Sequence, residues 1–282
     1  MVRPVTQAID LMHLGRDRVI CAYDLDGVIV DPGPASCVDA LLARAEPRAL
    51  LLTHIHLDHA GATGVIARRH PDVRVYVHER GADHLVDPSK LLASASKLYG
   101  EDMDRMWGEV APVPEANVHP LSGGETVEGF RVEYTPGHAS HHVCYLHEDS
   151  GDAYVGDTAG VRITPTEVTV APTPPPDIDL EAWRESLERV EAWQPSALCL
   201  THFGRFGDVD AQLGRVREAL SRQAEWARDG SEESFVGALR ESVLAGSDAE
   251  AAESLFQAAP PDQLYLGLAR YLSKRAEGAR TR

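Results

Sequence analysis

The chain has 282 residues and a formal net charge of −17, enough length for one large domain or two small ones with a sizeable core. That charge repels phosphate backbones, so nucleic acid is not an expected partner, and no apolar run approaches the roughly 20 residues of a membrane span. The opening Met1-Val2-Arg3-Pro4 lacks the apolar core of a signal peptide, and Cys21, Cys37, Cys144 and Cys199 form no C-x-x-C pair, so the expectation is a cytoplasmic protein with buried free thiols. Along the chain, residues 18–23 and 28–30 are β-prone and flank Asp24-Leu25-Asp26-Gly27, which predicts a hairpin turn. After the break at Asp31-Pro32-Gly33-Pro34, Ser36 is positioned to cap a helix reaching about residue 45. A strand at 50–53, a helix at 61–70 and a strand at 73–77 follow. Residues 88–107 have helical composition and read equally as a lid over a pocket or as a helical pair packed on the core. Strands are expected at 131–135, 143–147 and 153–155, then a stiff loop at Ala171-Pro172-Thr173-Pro174-Pro175-Pro176. A helix at 179–193 and a strand at 197–201 complete the first 208 residues. From Val209 onward the pattern is helical, with Pro260-Pro261 opening the last helix.

Chemistry-bearing residues gather where these strands end. His54-Ile55-His56-Leu57-Asp58-His59 directly follows an apolar run and places four metal-capable side chains within six residues; imidazole and carboxylate are the usual ligands of zinc and related divalent ions. Thr135-Pro136-Gly137-His138, with His141 and His142 behind it, Gly156-Asp157-Thr158 and Thr201-His202-Phe203-Gly204 occupy three further strand ends. Strand ends on one edge of a sheet form a common rim, so distant residues can converge there. Glycine beside a candidate ligand in these loops permits the sharp turn that brings the side chain inward. His13, His70, His78, His84, His119 and His147 lie outside this pattern and read as ordinary surface or core residues.

The ordered set H-x-H-x-D-H, lone His138, Gly156-Asp157 and late His202 resembles the metallo-β-lactamase superfamily over residues 31–204. The resemblance implies an α/β fold: a four-layered αββα sandwich with its site at the common edge of two sheets, here carrying a C-terminal helical extension. A catalytic domain at 1–208, with a helical lid at 88–108, and a helical region at 209–282 are the expected divisions. By the resemblance, His54, His56 and His138 hold one metal, Asp58, His59 and His202 hold a second, and Asp157 bridges them. Asp31 supports the metal loop without ligating. The implied cofactors are two divalent ions, zinc foremost with iron or manganese as alternatives, and the reagent is a hydroxide between them, acidified by both. Asp58 would be the catalytic residue orienting that nucleophile. His142 matches a frequent extra histidine expected to hold another group by hydrogen bonds; His141 reads as either a substrate contact or such a support. Arg162 is a candidate anion contact, weighed against an ordinary surface arginine.

Within the superfamily, H-x-H where flavodiiron oxygen reductases carry H-x-E argues against those enzymes. The stretch His138-Ala139-Ser140-His141-His142-Val143-Cys144-Tyr145 resembles glyoxalase II, and lactonases share the ligand set. Acidic charge and the absence of an RNA-binding insertion argue against tRNA-processing nucleases. The expectation is a dinuclear metal-dependent hydrolase of a small carboxylic ester, thioester or lactone, with a small-molecule substrate, no nucleic acid, no membrane, and a homodimer left open. The alternatives are a mononuclear iron sulfur dioxygenase using His54, His56 or His59, His138 and Asp157; a phosphodiesterase; and a non-catalytic protein stabilised by metal. Tyr23-Asp24-Leu25-Asp26-Gly27-Val28 also resembles the haloacid dehalogenase nucleophile motif, but no lysine lies between Lys97 and Lys274 to complete that site, and a hairpin turn accounts for the same residues.

Overall fold

Tyr23 pairs with Val30 and Leu25 with Val28 in an antiparallel hairpin, and both residues at its tip, Asp26 (φ 54°) and Gly27 (φ 81°), have positive φ, the geometry that matches strand twist. The Asp24 carboxylate accepts from the Gly27 N–H at 2.8 Å. These acidic residues therefore close a turn at one end of a strand whose other end leads into Asp31. The structure, a computed structural model, describes residues 8–280.

Strands β1 (Ala8–Asp10), β2 (Cys21–Leu25), β3 (Val28–Val30), β4 (Ala49–Leu51), β5 (Arg74–His78) and β6 (Val118–Leu121) form one sheet in that order, antiparallel across the first three and parallel from β3 to β6. Its connections carry α1 (Val38–Leu42), α2 (Leu57–Ala60), α3 (Thr63–Arg69), α4 (Glu79–Val86), α5 (Ser89–Tyr99) and α6 (Met103–Trp107). The second sheet contains β7 (Thr126–Val127), β8 (Phe130–Tyr134), β9 (Val143–His147), β10 (Asp152–Tyr154), β11 (Ala197–Leu200) and β12 (Gly204–Phe206), antiparallel except for the β10–β11 pair. Helix α7 (Leu180–Ala192) precedes β11, and α8 (Val209–Asp229), α9 (Glu232–Gly246), α10 (Ala249–Ala258) and α11 (Pro261–Arg280) complete the chain.

Alternation along the strands builds the layers. Val28, Val30, Ala49 and Leu51 face the second sheet and pack with Phe130, Val132, Tyr145 and Tyr154. Ile29, Leu50 and Leu52 point the other way, into a core shared with Val38, Leu41 and Ile66. A third core lies on the outer face of the second sheet, where Leu146, Val155 and Leu198 meet Trp183 of α7 together with Leu213, Phe235 and Leu264. The result is the four-layered αββα sandwich, and residues from both sides of position 208 contribute to one apolar core. Among the described residues, no helix is long and apolar enough to cross a membrane. All four cysteines are buried and free.

Two local expectations differ from the structure. Residues 35–37 form a 3-10 turn before the short α1, and Ser36 caps neither element; its hydroxyl instead donates to the Met106 carbonyl at 2.7 Å, tying this turn to α6. Strands β1, β6, β7 and β12 are short and were not anticipated; β6 includes Pro120, which obscured its alternation.

Candidate metal centre

The chain crosses the edge of the sandwich four times with a ligand-capable residue: after β4, after β8, after β10 and after β11. Backbone bonds lock these crossings together. Val143 N–H donates to Thr53 O at 2.8 Å, and Cys21 N–H donates to Thr201 O at 2.9 Å, joining the sheets beside His54 and His202. Gly156 turns at φ 46°, and a Cβ there would lie 2.4 Å from Thr53 Oγ1 and 2.9 Å from His142 Nε2. Only glycine lets the backbone before Asp157 come this close.

His54 Nε2, His56 Nδ1 and His138 Nε2 converge, with separations of 2.9 Å (54–56), 3.0 Å (56–138) and 3.2 Å (54–138). The opposite nitrogens of two rings are committed. His138 Nδ1 donates to Pro172 O at 2.8 Å. Thr53 Oγ1 gives its hydrogen to Asp31, so it accepts from His54 Nδ1 at 3.1 Å. Both Nε2 atoms therefore present lone pairs to one point, a repulsive arrangement unless a cation sits there. The three nitrogens lie close enough together for all of them to reach one divalent ion.

A second group adjoins it. Asp58 Oδ2 lies 3.7 Å from His59 Nε2 and 3.3 Å from His202 Nε2. His59 Nδ1 donates to Asp31 Oδ2 at 2.8 Å and His202 Nδ1 donates to Val19 O at 2.6 Å, so each ring turns Nε2 into the site. The Asp157 carboxylate divides between the groups: Oδ2 is 3.3 Å from His138 Nε2, while Oδ1 is 3.4 Å from His59 Nε2 and 3.7 Å from His202 Nε2. His59 Nε2, His202 Nε2 and Asp157 Oδ1 are buried with no hydrogen-bond partner, which native proteins avoid. Three sets emerge that could hold a metal ion: His54, His56 and His138; His54, His59 and Asp157; and Asp58, His59 and His202. The donor chemistry and the orphaned atoms fit divalent metal ions.

Electrostatics divides the same way. Burial and then the surrounding rings push His54 well below the usual imidazole value, and burial with His138 pushes His56 down to about 3. For His59 burial works in the same direction, but Asp157, Asp58 and Asp31 overcome it and raise the ring well above its usual value. His202 is raised against burial by Asp58 and Asp157. Burial opposes ionisation of Asp157, yet His59 and His138 hold its carboxyl well below the ordinary range.

Asp31 organises the set from behind. It is fully buried and accepts four hydrogen bonds: from Thr53 N–H, Thr53 Oγ1, His59 Nδ1 and Thr201 Oγ1, all at 2.8 Å. Its φ of 49° is a conformation that costs a non-glycine residue on the order of 1 kcal/mol. His142 stacks on His54 with centroids 4.9 Å apart, and its Nδ1 lies 3.0 and 3.2 Å from the hydroxyls of Thr135 and Thr158. His141 sits beside His56, ring centroids 5.9 Å apart, and does not line the cleft described below. Arg162 does not face the site. Its guanidinium binds Asp208 at 2.9 and 3.0 Å and lies over Phe206, so the anion contact considered for it is not formed; its backbone instead pairs with His202 O at 2.7 Å. Sequence reasoning missed Thr53 and Thr201, each immediately before a candidate ligand, and the carbonyls of Val19 and Pro172, which leave no side-chain signal.

The centre opens into a cleft of about 920 Å³, its mouth included. His56, Asp58, Asp157 and His202 form its floor. Its walls come from α5 and α6, from the proline loop, and from the segment joining α10 to α11. The 88–107 segment lines one side of the cleft and also packs on the body of the protein: Leu57, Ala95 and Trp107 share a small apolar cluster.

The αββα sandwich and this constellation of rim histidines and aspartates define a scaffold built to hold divalent metal at its edge. The sequence profile of the metallo-β-lactamase superfamily matches residues 19–202, and the chain belongs to that superfamily. It is 29% identical over 203 residues to a metallo-β-lactamase fold-containing protein of Sulfurisphaera tokodaii, covering 70% of this chain and 75% of that one. A hydroxyacylglutathione hydrolase of Synechococcus is 32% identical over 136 residues, 46% of this chain and 42% of the relative. The crystal structure of a metallo-β-lactamase family protein from Thermus thermophilus superposes with a TM-score of 0.65 over 96% of this chain and 93% of that chain, at 20% identity, so the fold likeness extends through the C-terminal helices.

Proposed function

We propose that this protein is a dinuclear metal-dependent hydrolase of a small carboxylic ester, thioester or lactone. One observation carries the reading: the Asp157 carboxylate turns one oxygen to His138 and the other to His59 and His202, so it could serve both ligand groups. His54, His56 and His138 would hold one ion, and Asp58, His59 and His202 the other. Zinc is the expected metal, with iron or manganese as alternatives. When bound, such ions acidify water and polarise a carbonyl.

The chain's own groups then do the following. The acceptors behind His54, His59, His138 and His202 fix their tautomers, so each arrives with a bare nitrogen. The side chain of Asp58, 22% exposed, lies on the cleft floor and would orient the attacking water by a hydrogen bond. In hydrolysis the water oxygen bonds to the acyl carbon, the acyl C–O or C–S bond breaks, and the released proton reaches the leaving oxygen or sulfur. The similarity to a hydroxyacylglutathione hydrolase supports acyl transfer to water as the reaction type, although that match spans under half of the relative.

The test is elemental analysis followed by assay of zinc-, iron- and manganese-reconstituted protein on an ester, thioester, lactone and phosphodiester panel. Two metals per chain with acyl hydrolysis supports the reading. One iron per chain with sulfur oxygenation assigns it to a mononuclear dioxygenase, and phosphodiester cleavage alone assigns it to a phosphodiesterase. Full metal content with no turnover identifies a metal-stabilised binding protein.

A further inference from the structure

The cleft wall is as distinctive for what it lacks as for what it contains. Among the described residues lining it, none is lysine or arginine. Away from the floor the surface is largely Leu91, Ala95, Leu98, Met106, Leu264 and prolines. Its other polar side chains are uncharged or already engaged. Tyr99 Oη donates to Gln263 Oε1 at 3.3 Å. Gln257 Nε2 donates to the His13 carbonyl at 2.9 Å, its Oε1 accepts from Arg16 Nε at 3.1 Å, and His13 Nε2 meets Met106 O at 2.9 Å; Arg16 stands behind the wall, does not line the cleft and pairs with Glu253 at 3.6 Å. Burial holds the His13 ring below its usual value, so it adds no cation at neutral pH. Trp107 packs with His13, stacked at 5.4 Å, and with Tyr99, edge-on at 5.0 Å, so the aromatic part of the wall is braced by two neighbouring rings.

A substrate carboxylate entering this cleft would lose water and gain no direct counter-charge from the described lining residues, which is costly, and the −17 net charge of the chain further opposes anions. An alkyl chain would gain by burial. We infer that the cleft selects an uncharged ester, thioester or lactone with a medium-length apolar acyl chain, and disfavours acyl groups carried on an anionic thiol such as glutathione. This specificity rests on the hydrolase reading and narrows it to a substrate class.

The test uses the full-length, metal-reconstituted protein and two thioester series, acetyl to decanoyl, on N-acetylcysteamine (neutral) and on glutathione (anionic). For the neutral series kcat/KM is expected to rise about two- to fourfold per methylene until the cleft is filled, mainly through KM. At matched chain length the neutral carrier should exceed glutathione by about tenfold or more, a difference of ~1.4 kcal/mol. A flat chain-length profile, or glutathione thioesters cleaved as well or better, overturns the inference. Leu98→Arg places a cation in the wall and should move the neutral-to-glutathione ratio about tenfold toward glutathione; an unmoved ratio in folded variant counts against it. If the protein cleaves neither series, thioesters are excluded as substrates, the hydrolase reading then stands or falls on the ester and lactone arms of the panel, and the specificity is decided by calorimetry with two thioethers. S-hexyl-N-acetylcysteamine binding tighter than S-hexylglutathione sustains it, and the reverse order sinks it.

Discussion

The rim and the cleft wall are built on different physical terms. On the rim, His54, His59, His138 and His202 each have the nitrogen remote from the site bound to a fixed acceptor, so identity, tautomer and direction are all constrained. On the wall, Leu91, Leu98, Met106 and Leu264 present apolar surface, where another residue of similar volume would serve. The rim demands particular atoms and the wall demands shape and the absence of charge. Changes on the rim should therefore act on metal and catalysis, and changes on the wall on stability and substrate choice.

The largest expected effect is at the floor. Asp58→Ala should lower kcat by about 10²- to 10⁴-fold, measured on protein whose metal content is brought back to the wild-type level by reconstitution; a loss confined to KM would contradict a role in orienting the nucleophile. Next is Trp107→Ala on the wall. Removing this side chain, only 5% exposed, should cost about 3–5 kcal/mol in denaturant unfolding while metal affinity stays within about twofold. A large fall in metal affinity would break the division between the two regions. Asp31→Ala is the converse case: it should weaken metal binding about 10–100-fold in chelator competition, although Asp31 is not itself a proposed ligand.

The smallest effect sharpens the rim's electrostatics. In the metal-free protein His59 has its pKa raised, chiefly by Asp157 and Asp58 against burial. That shift favours a proton on the ring in the absence of metal, and a divalent ion binding there would have to displace it. Binding measured calorimetrically in buffers of different ionisation enthalpy should show release of about one proton or more near pH 7, and affinity should fall as pH falls. Proton uptake would contradict the sign of the His59 shift.

The contrast also explains what could be read beforehand. The hairpin at Asp24–Gly27 and the convergence of His54, His138, Asp157 and His202 were legible because metal chemistry and tight turns restrict residue type at fixed spacings, and the sandwich was legible only through the family resemblance those residues carry. The wall was not. Tyr99 meets Gln263, and His13 meets Gln257, across most of the chain, and neither glutamine carries a local signal. Ser36 had the chemistry of a helix cap, but the Met106 carbonyl competed for its hydroxyl and won. Short edge strands such as β7 and β12 have too few residues to express an alternation.

Asp31 bonds to Thr53, to His59 and to Thr201, which are either a proposed ligand or the residue directly before one, and Thr201 belongs to the opposite sheet. A single carboxylate thus surveys the position of both halves of the sandwich. Any slip of one sheet across the other is transmitted to the proposed ligands through these hydrogen bonds, so their convergence depends on the two sheets being correctly docked. Metal affinity in this fold is in effect a gauge of tertiary assembly: occupancy and sheet docking are thermodynamically linked, each raising the population of the other.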